Sequence, residues 1–355
     1  MDRLKKENLY AIILAGGAGT RFWPMSRAKM PKQFLNIIGP KTFLQMTLAR
    51  IQSKISPKNI FIVTSAMYAR QIKSQIAAFK IPSSNILFEP EGKNTAPAIC
   101  WATAHIHKIN PRAIEVILPS DHLIKDEKKF LKILDQGFHW ASRQYLVTLG
   151  IVPLRPETGY GYLKTEKIKS VPGGIFAVKK FTEKPSLLKA KQFLRSKNYL
   201  WNSGMFVWES RTILEEFKKY LPSMYQSLST APGGLRLKKI WKNVQSISID
   251  YGILEKAHHV VAIPADIGWS DLGSWEALKE ILPSDQNRNV LKGDVLALDC
   301  ANTMIFADRR LIASVGLKNL MIIDTPDVLL VCPKDRSQDV KAIVTKLKMK
   351  NRPEV

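Results

Sequence analysis

Arg21, Lys32, Asp121, Lys184 and Asp271 are the side chains of this sequence whose charge and surroundings could handle phosphate. The first two belong to a glycine-rich run, Leu14-Ala15-Gly16-Gly17-Ala18-Gly19-Thr20-Arg21, carried on to Pro31-Lys32-Gln33-Phe34-Leu35. Glycines let a backbone take positive φ and turn its N–H groups toward a ligand. An arginine and a lysine beside such a turn add fixed positive charge that suits a polyphosphate. The run lacks the G-x-x-x-x-G-K-[ST] spacing of a P-loop, and Phe22 stands where a dinucleotide fingerprint has its third glycine. Asp121, in Pro119-Ser120-Asp121-His122, and Asp271, in Trp269-Ser270-Asp271-Leu272, are two carboxylates far apart in the chain. Magnesium commonly takes one or two carboxylates plus phosphate oxygens and water, which makes this pair the best metal candidate. A lone aspartate more often caps a turn, and it is the neighbouring motifs that favour the metal. His105, His107, His258 and His259 have no carboxylate or cysteine partner at metal spacing, so no histidine metal site is expected.

The elements that would carry these residues alternate over the first 150 positions. Strand-like runs at 10–15, 60–64, 86–88, 116–118 and 146–149 are separated by helix-period segments at 43–55, 68–79, 96–109 and 127–143. That order predicts an α/β fold with a doubly wound, mostly parallel, Rossmann-like sheet. Ligands of such sheets bind beyond the carboxyl ends of the strands. Gly16-Gly17, Glu91-Gly92-Lys93-Asn94 and Ser120-Asp121-His122 each follow a strand, so all three should face one crevice. After Leu282 the character changes. Short apolar runs at 295–298, 304–306, 312–315, 320–323 and 328–331 are punctuated by turn residues and followed by helical sequence at 335–350. The expected division is a catalytic domain over 1–282 and a small all-β, β-helix-like module over 283–355 that serves as a dimerisation element.

Composition narrows the class. The chain is 45% hydrophobic and 24% charged, as a globular protein is, and no apolar run reaches membrane-span length. The basic N-terminus runs through a short apolar stretch straight into the glycine turn, which reads as a first strand rather than a signal peptide. Cys100, Cys300 and Cys332 are too few for a disulfide framework and fit buried thiols in a reducing cytoplasm. The net charge of +24 is spread out, and no basic tract is interleaved with aromatics. Nucleic-acid binding is therefore not expected, while a positive field would concentrate anionic substrates.

Six further motifs follow the glycine run in order. They are Glu91-Gly92-Lys93-Asn94-Thr95-Ala96-Pro97, Pro119-Ser120-Asp121-His122, Gly159-Tyr160-Gly161-Tyr162-Leu163, Phe181-Thr182-Glu183-Lys184-Pro185, Trp201-Asn202-Ser203-Gly204-Met205-Phe206 and Gly268-Trp269-Ser270-Asp271-Leu272-Gly273. The set resembles the sugar-nucleotidyltransferases, and within them the bacterial mannose-1-phosphate guanylyltransferases. The resemblance implies Mg²⁺-dependent conversion of GTP and mannose 1-phosphate into GDP-mannose and pyrophosphate; a homodimer is expected because exposed strands such as those of the β module seek pairing. It implies that Asp121 and Asp271 hold Mg²⁺, Arg21 and Lys32 contact the triphosphate, and Lys184 binds the sugar phosphate. Leu14, Ala15, Gly16, Gly17, Gly19, Thr20, Asn94, Thr95, Ala96 and Ser120 would line the nucleotide, and Gly159, Tyr160, Glu183 and Asn202 the sugar. His122 is not required as a base, because the attacking phosphate is already ionised.

Several details qualify that transfer. Pro185 should bias Lys184 toward an extended backbone. Trp201, Trp269 and Trp275 are more readily core residues than sugar platforms. Lys93 stands where the family more often has arginine, so its contact is open. Longer relatives carry a fused isomerase domain; with this sequence ending at Val355, no phosphomannose isomerase activity is expected. Two alternatives stay open: the same chemistry with another sugar 1-phosphate or nucleotide, or a silent GDP-sugar sensor.

Overall fold

Leu9–Leu14 is apolar on both faces, as a strand covered from both sides must be, and it forms β1 in the interior of a sheet. The computed structural model describes residues 5–17, 19–168, 174–231 and 234–355; Ala18 of the glycine-rich run and the side chain of Thr20 lie outside the described parts. The chain forms two compact units that interleave in sequence. Unit 1 comprises Met1–Gly16, Thr47–Ser120 and Ile124–Trp269, and unit 2 comprises Gly17–Met46, Asp121–Leu123 and Ser270–Val355.

Unit 1 holds the large sheet. β2 (Ile60–Ser65), β3 (Ile86–Glu89) and β4 (Ile114–Pro119) join β1 in parallel, in the order β3-β2-β1-β4. The two-residue strand β5 (Leu123–Ile124) is followed by β6 (Leu146–Ile151), β7 (Tyr162–Lys167) and β8 (Phe176–Thr182). β9 (Tyr199–Glu209) runs antiparallel between β4 and β6, and β10 (Val260–Ala265) is parallel to β6. The sheet is therefore mixed: parallel as expected over its first four strands, and antiparallel around β9 and the β7–β8 ribbon. Helices cover it with apolar faces. Thr95–Ile109 is buried along most of its length, and Glu127–Ala141 turns Phe130, Ile133, Leu134 and Phe138 inward, with Asp126 capping its start. No helix among the described residues is long and apolar enough to cross a membrane.

β11 (Trp269–Ser270) precedes the coils of unit 2. These are β12 (Val290–Lys292), β13 (Val295–Leu298), β14 (Met304–Phe306), β15 (Ile312–Val315), β16 (Leu320–Asp324) and β17 (Leu329–Pro333). β12, β14 and β16 stack in parallel, β13 pairs in parallel with β15, and β17 closes antiparallel on β16. This is a β-helix-like module followed by the helix Val340–Met349. Strand β12 is the one coil the sequence reading passed over.

The boundary expected after Leu282 follows sequence character, whereas the compact units cut the chain elsewhere. Phe22, Trp23, Leu35, Ile37 and Phe43 share one buried cluster with Met304, Phe306, Met321 and Ile323. Trp275 Nε1 donates to the Trp23 carbonyl (3.1 Å), Lys292 Nζ to that of Ile37 (2.8 Å), and Arg27 pairs with Asp327 (2.8 Å). The segment after the glycine-rich run, from Phe22 to Phe43, is thus fastened to the β coils within unit 2.

Candidate active site

Lys32 begins a short turn after Pro31, and its ammonium is buried over the rings of Phe22 and Phe43 (5.6 and 5.5 Å). It donates to Asp121 Oδ2 (2.9 Å) and to the backbone carbonyl of Asp271 (2.5 Å). Gly19 makes this approach possible. Its φ is +59°, and a Cβ there would overlap the Lys32 side chain. Burial alone would raise the Asp121 carboxyl, but Lys32 and His122 hold it below the usual carboxylate range. Asp271 Oδ1 accepts from the Gly273 N–H (2.9 Å), and Arg21 Nη1 reaches the Gly273 carbonyl (3.4 Å). Arg21, Lys32, Asp121, His122, Asp271 and Lys341 line one cavity of about 300 Å³. Five of these six come from quoted motifs. Lys341, on the final helix, was not foreseen.

In unit 1 the expected nucleotide residues stand at the carboxyl ends of neighbouring strands. The Ala15 N–H bonds Val63, Ala15's carbonyl accepts from Thr64 Oγ1, and the Ser120 N–H bonds Leu14. Asn94, at φ +70°, accepts from the Thr95 N–H, while Thr95 Oγ1 and the Ala96 N–H tie to Ile249 and Ile247. Lys93 is spent on structure: it donates to the Lys242 and Val244 carbonyls (2.8 and 2.9 Å) and pairs with Glu91. Glu89, ending β3, was missed. Its carboxylate lies so close to Gly16 that a Cβ there would sit 2.5 Å from Oε1, and among the described residues Oε2 is buried without a hydrogen-bond partner. Burial pushes its carboxyl up to about 7.

The sugar-side motifs meet in a second cluster of unit 1. Asn202 Nδ2 donates to Asp250 (2.6 Å), its N–H bonds the Gly161 carbonyl (2.8 Å), and a Cβ on Gly161 would collide with the Glu183 carboxylate. Burial and the mutual proximity of Glu183 and Asp250 raise the Glu183 carboxyl, and burial raises Asp250. Asp250 carries no motif of its own and was also missed. Tyr160 stands edge-on between Trp201 and Trp269 (5.2 and 5.3 Å), while Gly159 is exposed, its N–H bonded to Glu157. Trp275 is fully buried against Phe22 and Phe306, a core residue of unit 2. One expectation fails. Lys184 is not extended but left-handed, at φ +45°. Proline excludes the right-handed helical region from its predecessor but not this one, and the Lys184 N–H bond to Tyr160 holds the turn. The Lys184 ammonium remains exposed, 3.7 Å from Glu183.

A sheet with phosphate-type loops at its strand ends, joined to parallel β coils, defines a nucleotidyltransferase with a β-helix extension. Residues 10–288 match the family described as Nucleotidyl transferase, and 293–347 match the MannoseP isomerase/GMP-like beta-helix domain. The mannose-1-phosphate guanylyltransferase of Salmonella muenchen is 37% identical over 98% of this chain and 75% of its own length. Xanthan biosynthesis protein XanB of Xanthomonas campestris is 39% identical over 97% of this chain and 74% of its own. A crystal structure described as a mannose-1-phosphate geranyltransferase from Thermus thermophilus superposes with a TM-score of 0.87 at 32% identity, covering 96% and 99% of the two chains. The chain belongs to the mannose-1-phosphate guanylyltransferase family, the enzymes of GDP-mannose synthesis.

Proposed function

We propose that this chain transfers GMP from GTP to α-D-mannose 1-phosphate, giving GDP-mannose and pyrophosphate. A phosphate oxygen of the sugar attacks the α-phosphorus in line. The new P–O bond forms as the bond to the β-phosphate oxygen breaks, and pyrophosphate departs with its electrons. Repulsion between two anions is the obstacle, so positioning and charge neutralisation do the work. The observation that supports this most is the unit 2 cavity, where Arg21, Lys32, Asp121 and Asp271 converge. There Arg21 and Lys32 bind the triphosphate and favour release of pyrophosphate; Lys184, in unit 1, binds the sugar phosphate.

The donor set fits magnesium. Two carboxylates line one cavity, the number an ion completing its shell with phosphate oxygens and water would use, and such an ion would have to share Asp121 with the Lys32 ammonium. Asp121 and Asp271 would hold it, and it would supply neutralisation of phosphate charge. Glu183, Asn202 and Asp250 are hydrogen-bond partners for sugar hydroxyls. Glu89 offers a carboxylate to the adjacent N–H donors of guanine.

Pyrophosphate release with Mg²⁺, GTP and mannose 1-phosphate, run against ATP, UTP and glucose 1-phosphate, tests the reading. Release confined to GTP with mannose 1-phosphate supports it, and release with another pair corrects the substrate. No release with measurable GDP-mannose binding favours a silent sensor. The unbridged cysteines suit a reducing cytoplasm. On β13 and β15, Leu296, Leu298 and Val315 point out of one face and are more than half exposed, a surface suited to a second copy. Light scattering should give a dimer, and Leu298→Asp a monomer.

A further inference from the structure

Arg288, Asn302 and Asn319 occupy the same corner of three successive coils, each two residues before the paired positions Val290, Met304 and Met321. All three are left-handed, at φ +60°, +52° and +56°. Asparagine tolerates that conformation best. Asn302 Nδ2 donates to Asn319 Oδ1 (2.5 Å), which fixes the Asn302 amide so that its oxygen faces away from the ladder. Two lysines converge on that oxygen. Lys279, ending the helix Trp275–Lys279, donates at 2.5 Å, and Lys334, opening the turn Lys334–Asp339, at 2.8 Å.

This pairing of cations is electrostatically incomplete. Two ammonium groups share one neutral acceptor, with the Arg288 charge close by. Among the described residues neither lysine forms an ion pair. The nearby Asp285 carboxylate, which accepts from the N–H and Nδ2 of Asn289 (2.7 and 3.0 Å), compensates Lys279 only in part and forms no ion pair with it. Burial and then the Lys334 charge push the Lys279 ammonium down to about 8. Both lysines are only half-buried, so a ligand can reach them. Like charges held together in this way are relieved by an anion, and lysines bind tetrahedral oxyanions as point charges with several donors.

We propose that Lys279, Lys334 and Arg288, gathered on the Asn302 corner of the β coils, form a binding site for a small oxyanion of the phosphate class. The site is separate from the cavity lined by Arg21 and Lys32, none of whose lining residues it shares. It stands whether or not the assigned reaction is correct.

Amine acetylation of the whole protein, resolved by peptide mass spectrometry at pH 7.5 in chloride of matched ionic strength, tests it. Without phosphate, Lys279 should react about tenfold faster than the exposed Lys41, as a lowered ammonium pKa implies. Inorganic phosphate or pyrophosphate should protect Lys279 and Lys334 saturably and leave Lys41 untouched. Protection by mannose 1-phosphate as well would assign the site to phosphoryl groups in general, and protection by the inorganic ions alone to free phosphate. Asn302→Asp places a carboxylate where the two lysines meet. In that variant Lys279 should be slow to react without any added anion, and phosphate should no longer matter. The proposal is overturned if phosphate, pyrophosphate and sulfate leave Lys279 labelling in the wild type equal to that in chloride.

Discussion

The carboxylates of the two units depart from their ordinary acidity in opposite directions. In unit 1, Glu89, Glu115, Glu183 and Asp250 are all raised, with burial as the leading cause. In unit 2, Asp121 is a third exposed, and Lys32 at 2.9 Å outweighs what burial it has and holds it below the usual carboxylate range. The difference is one of partner. A buried acid facing neutral amides and other acids becomes a hydrogen-bonding group, suited to hydroxyls and a base edge. An acid facing an ammonium stays an anion, suited to a metal ion and the phosphates that accompany it.

The comparison breaks most visibly if the unit 2 acids are dispensable. Asp121→Ala and Asp271→Ala should each lower turnover at least about a hundredfold, the scale of removing one electrostatic stabiliser from an active site. Unfolding midpoints taken alongside would separate this from misfolding. Near-normal turnover in both variants would remove the metal-pair assignment.

Changes in unit 1 should act on binding instead. Gly161→Ala drives a methyl into the Glu183 carboxylate and displaces it from the Asn202–Asp250 cluster. The expected result is a KM for mannose 1-phosphate raised about tenfold with kcat little changed, the loss of roughly one hydrogen bond to a charged group. An equal fall in kcat with constant KM would move Glu183 out of the sugar site. Glu89→Gln sharpens the same point for the base. ITP lacks the exocyclic amine of GTP, so wild type should prefer GTP by about tenfold and the variant should lose most of that preference.

The sequence made much of this legible, for identifiable reasons. Strands of the parallel half are continuous apolar runs, so β1, β2 and β4 were found within two residues of their ends. The later coils carry turn residues at every corner, and β13, β14 and β15 were located with their full extents. What escaped depends on contacts between distant segments. Nothing local in Phe22, Trp23 or Phe43 reveals that they pack on Met304 and Phe306. Lys341 looks like any solvent lysine on an amphipathic helix until that helix is set against the turn at Thr20–Phe22. Asp250 has no glycine or proline beside it on the N-terminal side to mark a site, whereas Glu89, opening Glu89-Pro90-Glu91-Gly92 at a strand end, offered a usable signal.

The effect that isolates burial from catalysis is on stability. Glu115 sits on β4, fully buried, accepts from Thr103 Oγ1 (2.7 Å), and is pushed up to about 8 by burial. In the unfolded chain it should titrate near its ordinary value of 4.5. Between those values the folded state holds a proton that the unfolded state has released, so stability falls as pH rises. The contribution is complete below the unfolded value, declines by up to about 1.4 kcal/mol per pH unit, and levels off above the folded one. Denaturant midpoints measured from pH 5 to pH 9 should therefore fall in the wild type. Glu115→Gln keeps an acceptor for Thr103 but cannot ionise, and its curve should be flatter, most clearly between pH 7 and pH 8 where Glu89 no longer contributes. Parallel curves for the two proteins would mean that Glu115 is ionised in the fold, and that burial does not govern the acids of unit 1.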